Sequence, residues 1–182
     1  ESIVKAISGF SNSEVDILIT DLIKERLITK QNLETGSAIE ISIVELKKSI
    51  YQSIAEIDRV NQHKRIANEL TIHKNESSDY SFDELFYQLN LSSQLDDLIS
   101  LVYQRIDRER NKYSDSTMLI LRKAYEALSS KSHPMEMIVL DRINYSYIMR
   151  GETEMLDSYL NIMLNLSQEK NEERFYIRAL LY

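Results

Sequence analysis

Between residues 43 and 74 the chain has neither Gly nor Pro, and Ile43, Ile50, Ile54, Ile57 and Val60 recur there at steps of three, four or seven. That spacing predicts one long amphipathic helix whose apolar stripe needs a partner. The same constraint runs through the whole sequence. With three Gly and one Pro in 182 residues, little turn chemistry is left for a many-stranded sheet. The expected class is mainly α, and Ile50, Ile54 and Ile57 are expected at its structural centre.

Ahead of the long helix, Ile3, Val4 and Ile7 form a short apolar segment stopped at Gly9. Ser11 and Glu14 then have the spacing of a capping box, in which the hydroxyl takes a first-turn amide and the carboxylate takes the amide of the cap. Val15, Leu18, Ile19, Leu22 and Ile23 continue as a helical stripe. Next come Leu27, Ile28 and Thr29, a polar turn over 31–36 that contains Gly36, and the alternating run 39–42. Helix, strand, turn and returning strand over roughly residues 3–42 resemble the second half of a winged helix. The resemblance implies a DNA contact through Lys24, Arg26 and Lys30, with Asp16, Asp21 and Glu25 opposing it.

Beyond the long helix, residues 75–79 (Asn-Glu-Ser-Ser-Asp) read as a linker. Ser81 and Glu84 form a second capping-box pattern, opening a helix that carries Phe82, Leu85, Phe86 and Leu89. Leu95, Leu98, Ile99, Val102 and Ile106 mark the next helix, which ends in the mixed-charge run 107–112. Leu119, Leu121, Ala124, Tyr125 and Leu128 mark another, broken at 129–134, where Pro134 is placed to begin its successor. Helices over 135–150, 153–166 and 172–182 follow, with Gly151 as a C-terminal cap.

Leu140, Ile143, Asn144 and Tyr147, then Gly151, then Leu156, Tyr159, Leu160 and Leu164 resemble one tetratricopeptide repeat, an antiparallel helix pair that stacks into a groove. Leu156 and Met163 replace that family's small residues on the second helix, and Arg110 and Arg178 stand about one repeat away on either side, where small residues are wanted. The resemblance therefore implies stacked hairpins and carries over no ligand-binding residue. The expected organisation is a winged-helix-like segment over 1–42, a long central helix over 43–75 and antiparallel helical hairpins over 76–182.

The absence of Cys excludes disulfides, thiolate metal sites and a thiol nucleophile. No apolar run reaches the roughly 18 residues of a membrane span, so no membrane partner is expected and a cytoplasmic location is the simplest reading. The net charge of −7 opposes general attraction to nucleic acid, but residues 1–66 hold 9 Lys+Arg against 10 Asp+Glu, which puts −6 of it on the remainder.

His73 has Glu69 and Glu76 at helical spacing, as a metal site would. Glu and His are common on solvated faces, and His63 and His133 add no second motif, so no metal, cofactor or catalytic residue is expected. Most of the 11 Tyr fall at core or boundary spacings. Arg174, Phe175, Tyr176 and Arg178, ahead of Leu180 and Leu181, form a segment that either packs home or meets a partner. The expected function is non-enzymatic: a regulatory or scaffold protein that binds a protein or peptide through its C-terminal helices. A homodimer through the long helix, DNA binding through residues 1–42, and an enzyme whose acids converge only in space are the alternatives.

Overall fold

The computed structural model describes residues 4–5, 8–33, 36–74 and 82–182. The described residues are mainly helical, with one two-stranded antiparallel sheet near the N-terminus. The chain divides into two compact units, Glu1–Gln94 and Leu95–Tyr182.

In the first unit, α1 (Asn12–Lys24) starts at the predicted capping box. The Ser11 amide donates to Glu14 Oε2 at 2.8 Å and the Glu14 amide to Ser11 Oγ at 3.4 Å. Val15 and Ile19 turn inward, while Leu18, Leu22 and Ile23 of the same stripe remain exposed. The helix ends with Arg26 in the left-handed region (φ 57°), where the Arg26 and Leu27 amides donate to the carbonyls of Ile23 and Leu22.

β1 (Ile28–Leu33) then pairs with β2 (Gly36–Ile41), with Ile28 opposite Ile41 and Lys30 opposite Ile39. Ile28 and its partly buried neighbours Ile39 and Ile41 close a small core on Val15 and Ile19. The helix-then-hairpin order matches the winged-helix-like outline over this stretch.

The single long helix does not form. α2 (Val44–Ser53) stops at Ile54, whose ψ of 130° is extended, and α3 (Glu56–Lys74) starts again two residues later. The Ser53 hydroxyl donates to the Ile50 carbonyl at 2.7 Å, a local bond that competes with helix propagation. Glu56 and Asp58 then occupy the first turn of α3, where acids complement the helix dipole.

This break shifts the phase of the stripe. Ile50 and Ile57 are 44% and 66% exposed, Ile43 is exposed too, and only Ile54 and Val60 are half-buried, so the expected centre at Ile50, Ile54 and Ile57 is corrected. A coiled-coil seam along residues 43–74 is likewise interrupted. The buried positions of α3 are Ala67 and Leu70, and the helix packs against α4 (Phe82–Leu91) and its buried Leu85 and Leu89. The linker at 75–79 and the Ser81 half of the second capping box lie outside the described residues.

The second unit is a run of five helices: α5 (Leu95–Arg108), α6 (Asp115–Ser129), α7 (Glu136–Arg150), α8 (Thr153–Glu169) and α9 (Glu173–Leu181). Each packs on the next, and α9 also packs on α7. Short connections make neighbours antiparallel, as hairpin stacking requires. Leu140, Ile143, Asn144 and Tyr147 are buried on α7, and Gly151 (φ 71°) ends that helix in the left-handed region. Met137, Leu140, Met163 and Ala179 form a core that Tyr125, Tyr159, Leu160 and Phe175 pack against. Lys170 pairs with the buried Glu136, which spares that carboxylate an uncompensated burial.

Candidate functional site

Alternation within the stack puts α5, α7 and α9 in one layer and α6 and α8 in the other. Within the first layer α7 and α9 are in direct contact, whereas α5 and α7 leave an open cleft of about 390 Å³. Tyr103, Ile106 and Asp107 of α5 line it, with Lys112 from the connection and Ile138, Asp141 and Arg142 from α7. The cleft opens at one end of a stripe running the length of α7. Ile138, Tyr145 and Met149 along that stripe are 41%, 36% and 52% exposed, and half-buried Arg142 stands between the first two. The spacing of four, three and four residues keeps all four side chains on one helical face.

The charges around the cleft are mostly spoken for. Asp107 pairs with Lys112 at 3.6 Å. Asp141 accepts from the Tyr182 hydroxyl at 2.8 Å and pairs with Arg178 Nε at 3.0 Å, and Arg178 also donates to Tyr182 at 2.8 Å. Arg142 differs. Its guanidinium lies 6.0 Å from the centre of the Tyr113 ring, and among the described residues no carboxylate pairs with it.

Tyr113 is itself held in place. Its carbonyl accepts from Arg150 at 2.7 Å, that arginine also reaches Asp115 at 2.6 Å, and its ring meets Tyr145 edge-on at 6.1 Å. Burial pushes the Tyr103 hydroxyl above its ordinary pKa, with the nearby Arg142 charge acting the other way. Tyr103 is therefore a neutral hydroxyl at physiological pH.

The predicted partner segment divides between two roles. Phe175 packs against the core, and Arg178 ties α9 to α7 through Asp141. Arg174 is exposed, 5.9 Å from the Phe175 ring centre, and Tyr176 lines a second hollow of about 410 Å³ with Ser167, Gln168, Asn171 and Glu173. Ile177, Leu180 and Leu181 face outward. The segment thus packs home along one side and leaves the other exposed.

Of the residues the DNA alternative relies on, Lys24 lies 3.4 Å from Asp21, and Arg26 terminates α1. Lys30 lies on β1. Asp16, 2.6 Å from Lys5, and Asp21 both lie on α1, which with Glu14 sets three acids against the one base Lys24 on that helix.

A polar relay in the first unit escaped sequence reasoning. The Tyr51 hydroxyl of α2 lies 2.9 Å from Nε2 of His63 on α3, and His63 Nδ1 lies 2.6 Å from Gln88 Oε1 on α4. Gln88 Nε2 in turn donates to Glu84 at 2.6 Å. Because Gln88 presents its carbonyl oxygen, which can only accept, Nδ1 of His63 is the donor of that bond. The partners stand 12 and 25 positions from His63, beyond any local spacing rule. The relay joins three helices.

Among the described residues no group of three or more His, Asp or Glu could hold a metal, and no helix is long and apolar enough to cross a membrane. The His73 side chain and Glu76 lie outside what the structure describes. Comparison with known protein families, with curated proteins and with solved structures finds no match for this chain.

Proposed function

We propose that this is a non-enzymatic regulatory or scaffold protein whose C-terminal helical stack binds a protein or peptide partner. The observation that carries the reading is the outward stripe of α7, where Ile138, Arg142, Tyr145 and Met149 stand together beside Tyr103 and Tyr113. Tyr, Arg and Met are the residue types enriched at protein contacts, and Tyr and Arg dominate their energetic centres. A stripe of large apolar and aromatic groups on a helix with an already filled core is surface left for a partner.

The test is affinity capture with the full chain and with a Tyr145→Lys/Met149→Lys variant of equal melting temperature. The reading expects a protein recovered by the parent and lost with the variant. Identical recovery by both baits would overturn it. DNA binding through residues 1–42 ranks second: the helix and the hairpin after it support it, but Asp16, Asp21 and Glu25 repel the phosphates that Lys24, Arg26 and Lys30 would have to hold. A salt series beginning at low ionic strength tests it, because the electrostatic contribution is largest there.

A further inference from the structure

The α7 stripe has a chemical bias that a merely apolar surface would lack. Its middle is a cation, and the carboxylates within reach are already engaged: Asp141 by Arg178 and Tyr182, Asp107 by Lys112. Among the described residues Arg142 has the ring of Tyr113 against its guanidinium and no carboxylate paired with it, which leaves N–H donors for a ligand. Exposed apolar groups flank Arg142 along the helix, Ile138 on the cleft side and Tyr145 and Met149 on the other, while the cleft itself also carries Asp107, Lys112 and Asp141. A ligand covering this stripe would desolvate the guanidinium. A desolvated arginine without a carboxylate is strongly penalised, whereas one that gains a charge-assisted, two-pronged bond is not.

The spacing of the stripe adds geometry to charge. Residues 138, 142, 145 and 149 follow the 4-3-4 pattern that lets a second helix lay its own ridge alongside. The stripe spans about 16 Å at 1.5 Å per residue, which is about three turns. Resting on the reading above, we infer that the occupant is an amphipathic helix of a partner protein that places one Asp or Glu between large apolar residues, the carboxylate on Arg142 and the apolar groups on Ile138, Tyr145 and Met149. Tyr103, a neutral donor at the mouth of the cleft, can supply a second hydrogen bond to the same carboxylate.

The probe is a displayed library of three-turn peptides on an alanine-rich, helix-favouring frame, randomised at four positions of the same 4-3-4 spacing and selected on the full chain. The expected result is enrichment of Asp or Glu at one interior position with large apolar residues around it. The best such peptide should bind about tenfold or more weakly to Arg142→Gln, and weaken progressively with added salt. Selection on Arg142→Glu should turn the interior preference to Lys or Arg. Where that reversal unfolds the chain, as judged by circular dichroism, Arg142→Gln must by itself abolish the acidic preference.

Helical peptides enriched without an acidic preference, or with one that survives at Arg142→Gln or Arg142→Glu, would overturn the inference and leave the protein-binding reading standing. So would enriched peptides whose apolar residues alternate as in an extended strand. No enrichment from any peptide would count against that reading as well.

Discussion

Gln88 is buried between two partners that fix both ends of its amide. Its oxygen faces His63 Nδ1 and its nitrogen donates to Glu84 one turn earlier on α4, so α3 and α4 are joined by one directional bond as well as by Ala67, Leu70, Leu85 and Leu89. A buried donor stripped of its acceptor loses its desolvation energy without return, about 1–3 kcal/mol. Gln88→Ala, which leaves the His63 N–H facing a void, should therefore destabilise the first unit by about that amount in urea denaturation. Gln88→Glu keeps an acceptor for His63 but puts a carboxylate beside Glu84, so it should be tolerated better in acid than at neutral pH. If Gln88→Ala unfolds at the parent's urea midpoint, the relay contributes nothing to stability. The link from His63 to Gln88 is not legible in the sequence, because a hydrogen bond between helices follows no spacing rule. Arg142 carries no signal in the sequence either, because its lack of a carboxylate partner among the described residues depends on where Asp107, Asp141 and Arg178 point.

At the scale of elements, the scarcity of glycine conceals a repeated device. α1, α4, α6, α7 and α8 each end on one left-handed residue, and only Gly151 of the five is glycine; the others are Arg26, Ser93, Ser132 and Asn171. In all five the amide after the left-handed residue donates to a carbonyl five positions back, and its own amide donates three positions back. A side chain at positive φ costs about 1–2 kcal/mol, less for Asn, while glycine adds back a smaller loss of chain entropy on folding. Arg26→Gly and Ser132→Gly should thus each raise stability by about 0.5–1 kcal/mol, whereas Gly151→Ala should lower it by about 1 kcal/mol. Thermal melts of the three variants decide this, and a stabilised Gly151→Ala would refute it. Element starts were easier to read than stops: the Ser11–Glu14 capping box stands where the sequence predicts it. The stop at Ile54 was missed because it has neither Gly nor Pro, although the Ser53–Glu56 spacing there is itself a helix-start signal.

For the whole molecule, tyrosine ionisation offers a way to address one unit of the chain. Tyr103, Tyr125, Tyr159 and Tyr182 have pKa values raised above the ordinary value near 10, in each case chiefly by burial, and all four belong to Leu95–Tyr182. A phenol whose folded pKa exceeds its unfolded one holds its proton more tightly when folded. Its contribution is complete below the unfolded pKa and is lost as pH climbs through the folded pKa. Tyr125 and Tyr159 meet at 6.4 Å between ring centres, and Tyr159 also meets Tyr147 at 5.5 Å, so ionising either puts charge into the packing between α6, α7 and α8. Above pH 10, amide protection should therefore fall through Leu95–Tyr182 with the rise of tyrosinate absorbance. Lysines lose their charge over the same range, so the informative comparison is with Tyr125→Phe/Tyr159→Phe. That pair keeps the rings and removes the ionising groups, and it should shift the alkaline loss of helicity to higher pH. If parent and variant lose structure at the same pH, the packing of these tyrosines does not govern the alkaline limit of the helical stack.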